Sequence, residues 1–324
     1  MVTTVLLAGC SHSVGGTGVR GPKFGDQAYF FAGDVALYGQ SVSADDVAYL
    51  AYLRALRRVD VCGLLTDDAL AKVGEIVSYG TFFEFDDCDA QLKISGSGAP
   101  RLVSAELQMS HTLGTPPAFE VGHTGVVAGE SCSWLMPVPL SRMPGAPPLP
   151  TSAQPIVILS EVGGDDCDFT KPIATALAAR LDSGTLPPRD AAASYPVRLA
   201  ERDPCEVVSA LAGQVADWKV RDSQAYHCQF TMRDTVLDVG LRPQIVGTQG
   251  VQRIDAAGTE AYLDPASCSA VAFVDAPMQH RLADGRYVDV ADTVARPSVT
   301  VDDVAGHDCD AAADVVVQAA MLYG

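Results

Sequence analysis

The chain is poor in lysine and in positive charge generally. Of 22 basic residues only five are lysine (Lys23, Lys72, Lys93, Lys171 and Lys219), against 40 acidic residues, for a formal net charge of −18. The acids are scattered, not gathered into a tail, and a surface of that sign repels phosphate backbones, so no nucleic-acid partner is expected. No uninterrupted apolar run reaches about 18 residues, so no helical membrane span is expected. The short motifs of catalysis are missing as well. There is no Gly-x-Ser-x-Gly elbow, no His-Glu-x-x-His, no phosphate-binding loop and no dinucleotide glycine fingerprint after a strand. The sequence therefore names no reaction, no catalytic residue and no cofactor. Zinc would need its ligands clustered as C-x2-C or with His at ligand spacing, and no such spacing occurs, so no metal is expected.

What is present is an ordinary globular composition, 48% hydrophobic with 29 Gly and 20 Pro in 324 residues. That length exceeds the usual single domain and predicts two domains of roughly 120 to 150 residues, each able to bury its own core. The scarcity of Lys beside abundant Ala, Asp, Val and Gly suggests a high-GC bacterial gene.

The N-terminus reads as an export signal. Leu6-Leu7-Ala8-Gly9-Cys10 has the form of a lipobox, in which small residues before a Cys allow cleavage and leave its thiol to carry diacylglycerol. Ser11 to Gly21 is polar and Gly-rich, like the tether behind a lipidated Cys. Only nine residues precede Cys10, without a basic segment, and Val5-Leu6-Leu7-Ala8 is short for a signal core. The expectation is a start upstream of Met1, with Cys10 the lipidation site.

The remaining eight cysteines fall into two sets of four with matching contexts. Arg58-Val59-Asp60-Val61-Cys62 matches Arg202-Asp203-Pro204-Cys205, and Asp87-Cys88-Asp89 matches His227-Cys228-Gln229. Ser131-Cys132-Ser133 matches Ser267-Cys268-Ser269, and Asp166-Cys167-Asp168 matches Asp308-Cys309-Asp310. The separations are 26, 44 and 35 in one set and 23, 40 and 41 in the other, differences that loop insertions accommodate. Four equivalences in the same order indicate an internal duplication. An even number of widely spaced Cys behind an export signal means disulfides. Four Cys allow three pairings per copy. The favoured one is sequential, Cys62–Cys88 with Cys132–Cys167 and Cys205–Cys228 with Cys268–Cys309, each loop staying inside its copy.

Ser43-Ala44-Asp45-Asp46 reads as a helix cap, followed by Val47, Leu50, Leu53 and Leu56 at helical spacing up to Arg57-Arg58. A second helix is expected after Cys62, from Thr66 through Leu70 and Val73, with a counterpart after Cys205 carrying Val208, Leu211 and Val215. Strands are expected at 81–85, 90–95, 101–109, 119–128, 132–138 and 156–161. In the second copy they fall at 225–232, 235–241, within a Gly-punctuated stretch to Tyr262, and at 268–274, 287–290 and 298–301. Each copy ends in a helix opened by Asp beside its fourth Cys, with Ile173, Leu177 and Leu181 in one and Val315, Val316, Ala319 and Met321 in the other. Helix, strands, then helix is the order of an α+β fold, here two tandem copies of an antiparallel sheet flanked by helices, each with two disulfides. The expected organisation is 1–10 residual signal and lipobox, 11–42 tether and N-terminal arm, 43–183 first copy, 184–200 linker, and 201–324 second copy. Asp182 to Asp203, with Pro187-Pro188 and Pro196, reads as a surface connector. The Pro-rich piece Met136 to Pro155 reads as an insertion in the first copy.

Asp86, Asp87 and Asp89, and Asp165, Asp166 and Asp168, supply oxygen atoms of the kind calcium takes. Helix capping explains the second group better, and the second copy replaces most of both. The six histidines, His12, His111, His123, His227, His280 and His307, share no ligand spacing. Trp134 and Phe82, Phe83 and Phe85 lie near cysteines and are expected to pack on the disulfides and core, with lining of a ligand cleft as the sharper alternative.

With a lipobox Cys, an Asp203-Pro204-Cys205 start (Val61 replacing Pro in the first copy) followed by Leu64-Leu65 or Val207-Val208, and a second Cys about 25 residues later, each copy resembles cysteine-rich actinobacterial lipoproteins. It also resembles the related extracellular sensor domains of mycobacterial-type serine/threonine kinases. The resemblance spans residues 57–324 and implies small antiparallel sheets flanked by helices, braced by two disulfides, with a cleft for an envelope ligand. The functional expectation is an extracytoplasmic, lipid-anchored cell-envelope protein at the cell membrane, binding or sensor-like and without catalytic activity. Its partners would be the membrane, through Cys10, and an envelope ligand or membrane protein. The alternatives are a secreted hydrolase whose site is assembled only in the fold, marked by a buried Ser–His bond beside a pocket, and a structural subunit of an envelope complex.

Overall fold

The structure is a computed structural model that describes residues 26–96, 99–111, 114–164, 166–189, 197–211, 213–245, 250–282, 287–289, 295–305 and 308–324. The first copy opens with α1 (Ala44–Arg57), α2 (Val61–Leu64) and α3 (Asp67–Leu70). Its strands are β1 (Glu75–Gly80), β2 (Asp87–Lys93), β3 (Arg101–His111), β4 (Phe119–Val121), β5 (Thr124–Ala128), β6 (Trp134–Pro137) and β7 (Ala153–Glu161), closed by α4 (Cys167–Asp182). The second copy runs α5 (Glu206–Ala210), β8 (Val215–Trp218), β9 (His227–Met232), β10 (Thr235–Ile245), β11 (Gln252–Ala256), β12 (Thr259–Asp264) and β13 (Ser269–Phe273). It continues through β14 (Gln279–Leu282), β15 (Tyr287–Asp289) and β16 (Ala295–Asp303) to α6 (Cys309–Tyr323). Among these residues no helix is long and apolar enough to cross a membrane.

Each copy builds a seven-stranded antiparallel sheet in one topology. The order is β1-β2-β3-β7-β6-β5-β4 in the first and β8-β9-β10-β16-β13-β12-β11 in the second. The agreement extends to register. Cys88 pairs with Ala105 and Cys228 with Val239, and the first two strands of each sheet are interrupted by an irregularity at the same place, Ile76/Ser78 and Val215/Asp217. The chain is thus an α+β protein of two tandem sheet copies. The eight cysteines form four disulfides, Cys62–Cys88, Cys132–Cys167, Cys205–Cys228 and Cys268–Cys309. The first bond of each copy pins the segment ahead of the sheet to its second strand, and the other ties the turn before the sixth strand to the first residue of the closing helix. Cys132 and Cys268 both adopt left-handed backbone, φ 59° and 51°, so the turn itself is repeated.

Alternation explains the sheets and helical spacing the layer above them. Cys88, Ala90 and Leu92 of β2, Val103, Ala105 and Leu107 of β3, and Leu237, Val239 and Leu241 of β10 are all buried at every second position. Asp166 caps α4 by accepting from the Phe169 amide, and Asp308 caps α6 from Ala311 in the same way. Ile173, Leu177 and Leu181 face the first sheet, and Val315, Val316 and Ala319 the second. α1 is capped by Ser43 and buries Tyr49, Leu50, Tyr52, Leu53, Leu56 and Arg57, because it packs against β3 and β7 and also against the turn Val220–Asp222 of the second copy.

The structure differs from the sequence expectations in several places. The helix expected from Thr66 through Val73 is a single turn, α3, because Gly74 presses against the end of β2, where a Cβ would lie 2.7 Å from Ile94 and 3.0 Å from the Lys93 carbonyl. Val215 starts β8 and is not helical; Gly213, at φ 80°, reverses the chain first. The strand expected at 81–85 is a loop, and β1 precedes it. The link between copies is packed in its described parts: Leu186, Val197, Leu199 and Ala200 are buried, and the Asp60 amide bonds the Pro187 carbonyl at 2.9 Å. The arm before α1 buries Phe30 and Phe31.

The insertions between the sixth and seventh strands of each copy reach across the molecule. The first copy's Pro-rich piece bonds α1, with Tyr52 donating to the Pro147 carbonyl at 2.9 Å and Thr151 to Asp45. The second copy's insertion is the hairpin β14–β15, which leaves its own sheet and pairs with β1, extending the first copy's sheet to nine strands.

Candidate functional site

The residues singled out in the sequence scatter. Cys10, His12, Asp165 and His307 lie outside the described residues, as do the side chains of His111 and His280. His123 is exposed in the β4–β5 turn, its amide bonded to Asp182 at 2.6 Å. Asp166 caps α4 and pairs with Arg101, whose hydrogen bond holds its carboxyl below the usual range. Trp134 donates to Thr170 at 2.8 Å and meets Phe119 edge-on, as part of the core. Among the described residues no group of three or more His, Cys, Asp or Glu is arranged to hold a metal ion.

His227 and Asp86 meet instead, at the seam between copies. The loop leading into β2 reaches toward β10 of the second copy, and the equivalent loop leading into β9 reaches toward β3 of the first. Glu84 pairs with Arg242 at 3.3 Å, while Gln224 bonds the Met109 backbone amide at 3.1 Å. Phe85 and Tyr226 meet edge-on between the loops, ring centroids 5.5 Å apart. The seam is therefore built like the interface of a symmetric dimer, within one chain. The β2 aspartates position the first loop: Asp87 accepts from the Glu84 amide at 3.2 Å, and its carbonyl accepts from Thr81.

His227 lies between carboxylates of both copies, 3.0 Å from Asp238 on β10 and 3.6 Å from Glu84. It can sit there because Gly240, its cross-strand partner, has no side chain; a Cβ would lie 3.2 Å from the imidazole and 2.7 Å from Thr300. Burial pulls the imidazole down, but the bonds to Asp238 and Glu84 outweigh it and push it up to about 10. It is an imidazolium at neutral pH. Burial and the charges of Glu106 and Glu84 push Asp86 up to about 7, and burial raises Glu106 as well. Burial raises both Asp87 and Asp89, and the charges of Asp89 and Asp86 raise Asp87 further.

Two clefts open along the seam. One, about 430 Å³, lies beside Tyr49, Arg221 and Gln224. Arg221 is held there by Asp45 and by Asp46 at 2.7 Å. The other, about 360 Å³, is floored by the end of α1 and bounded by the arm, the link and the start of the second copy. Arg54, Arg57 and Arg58 line it from α1, Arg189 from the link, and Glu201, Asp203 and Glu206 from the second copy, with Tyr29 and Tyr38 beside them. Arg57 bridges the copies, bonding the Ala225 carbonyl at 2.8 Å and Asp203 at 2.5 Å. The other guanidiniums bond backbone carbonyls: Arg58 those of Tyr29 and Ala32, Arg54 those of Asp34 and Phe31, and Arg189 those of Arg57 and Phe85.

No family model matches the chain, and neither does any curated protein or solved structure. The geometry of the seam is thus the ground for any functional reading. The arginine cleft is a part of the molecule that motif reading passed over. Its one trace in the sequence is Arg54-x-x-Arg57-Arg58, three of 22 basic residues within five positions, which also reads as a basic helix end.

Proposed function

We propose that this chain is an extracytoplasmic cell-envelope protein, lipid-anchored through Cys10, which binds a ligand in the arginine cleft at its seam and carries out no chemistry on it. The observation that carries the reading is that this cleft is made jointly by both copies, the arm and the link. Duplication of a small domain thereby creates a concave, polar site that neither copy has alone. The four disulfides favour an oxidising compartment, and the resemblance to envelope lipoproteins and kinase sensor domains points the same way. His227 acts in this reading as a cross-copy tie between two carboxylates, not as a catalytic base.

Hydrogen exchange of the full chain, with and without a small-molecule extract of a bacterial cell envelope, tests the binding reading. Protection is expected at the end of α1 and at residues 197–206. Unchanged exchange there, with protection elsewhere or nowhere, would contradict it.

A further inference from the structure

The two walls of the arginine cleft carry opposite charge. The α1 side presents Arg54 and Arg58, joined by Arg189 from the link and by one carboxylate, Asp34 of the arm, while the second copy presents Glu201, Asp203 and Glu206. These walls do not neutralise one another fully. Arg57 pairs with Asp203 and Arg202, outside the cleft, pairs with Glu206. Arg54, Arg58 and Arg189 are in ion-pair range of no carboxylate among the described residues; their guanidiniums donate to uncharged carbonyl oxygens, which leave the positive charge in place. Arg54 also keeps a buried Nε with no hydrogen-bond partner. Burial, and the nearby charges of Arg58 and Arg57, lower the Arg54 pKa against the smaller opposing effect of Asp34 and Asp203. Across the cleft Glu201 is exposed and forms no ion pair among the described residues.

We propose that the cleft takes a small zwitterion of the amino-acid or short-peptide class, its carboxylate turned to the guanidiniums of Arg54, Arg58 and Arg189 and its ammonium to Glu201 and Asp203. The inference rests on the reading of this cleft as a binding site and adds the chemistry of the ligand. A simple anion would satisfy one wall and be repelled by the other, and a simple cation the reverse; only a ligand bearing both charges is complementary to both walls. The volume, about 360 Å³, suits a molecule of that size. Guanidinium forks match a carboxylate in two-bond geometry.

The test is calorimetric titration of the full, oxidised chain with each of the common amino acids and a set of glycyl dipeptides, with propionate and ethylamine as single-charge probes. Saturable binding of one or more zwitterions is expected, with neither single-charge probe binding. Glu201→Gln, an isosteric change at an exposed position, should weaken that binding by about tenfold to a hundredfold, the value of a charge-assisted contact. Arg58→Lys should weaken it as well, and the Gln variant keeps the test sound if loss of the Arg58 carbonyl bonds disturbs the arm. Propionate binding as tightly as its amino acid, with Glu201→Gln unaffected, would reduce the cleft to an anion site and overturn the proposal. Ethylamine binding equally would overturn it in favour of a cation site. No binding by any zwitterion would also overturn it; protection of the cleft by envelope extract would then leave the broader binding reading standing, and absence of that protection would remove both.

Discussion

Arg57→Ala is expected to destabilise the folded chain by about 3 kcal/mol, the lower end of the range for breaking a buried ion pair. Arg57 is 7% exposed, at the centre of the seam, where it bonds the Ala225 carbonyl and the Asp203 carboxylate of the second copy. Truncation leaves that carbonyl without its donor and Asp203 without its counter-ion. Asp203 is 24% exposed and can recover some hydration, which places the effect at the lower end. Arg142→Ala, at an exposed position, is the control and should change stability by less than about 0.5 kcal/mol. Urea unfolding under oxidising conditions reads both. Equal midpoints for the two variants would mean that the copies do not depend on the Arg57 bridge.

Stability is expected to fall as pH rises from about 5 to 8, against the usual pattern for an acidic protein. Asp86 titrates near 7 when folded and near 4 when unfolded, so between those values the folded chain binds more protons than the unfolded one. Its contribution is complete below the unfolded value and is lost as pH rises through the folded one, ~4 kcal/mol for a carboxyl so displaced. Glu106, Asp87 and Asp89 are raised too and act with the same sign. His227 holds its contribution below its ordinary value near 6.5 and loses it as pH climbs through about 10. Asp45, Asp46 and Asp166, lowered by their hydrogen bonds and arginine partners, work oppositely and lose their contribution as pH falls below the ordinary carboxylate range. The maximum should therefore sit at mildly acidic pH. Thermal melts at pH 5 and 8 should show a clear drop at the higher value, and Asp86→Asn should flatten it. A melting temperature that rises between pH 5 and 8 would refute the assignment of buried, protonated carboxyls to the seam.

Much of the architecture was legible because it is written in local pattern. The repeated Cys contexts, Asp166 and Asp308 as helix caps, and the alternating apolar residues of β3 and β10 all act within a few positions of one another. The first strand of each copy, β1 and β8, was missed because its positions are largely half-exposed or exposed and carry little alternation, while Phe82, Phe83 and Phe85 have stronger strand propensity yet form a loop. That loop is fixed by Asp87, a residue whose carboxylate was weighed in the sequence against calcium ligation and not assigned to it. The seam was illegible for a different reason. Arg57 with Asp203, Glu84 with Arg242 and Gln224 with Met109 are separated by more than a hundred residues, and no spacing rule relates them. The crossing of β14–β15 onto β1 is of the same kind, a choice of partner sheet that neither strand's composition encodes.

The most direct test is mass spectrometry of the oxidised protein, exported from a high-GC Gram-positive host with the gene extended upstream to any in-frame start. Intact mass before and after reduction would be followed by peptide mapping without reduction. The expected result is a gain of eight hydrogens, an acylated N-terminal Cys10, and four linked peptide pairs, each confined to one copy. Nine free thiols with Met1 retained, or a disulfide joining the first copy to the second, would contradict the account of an exported protein built from two separately braced domains.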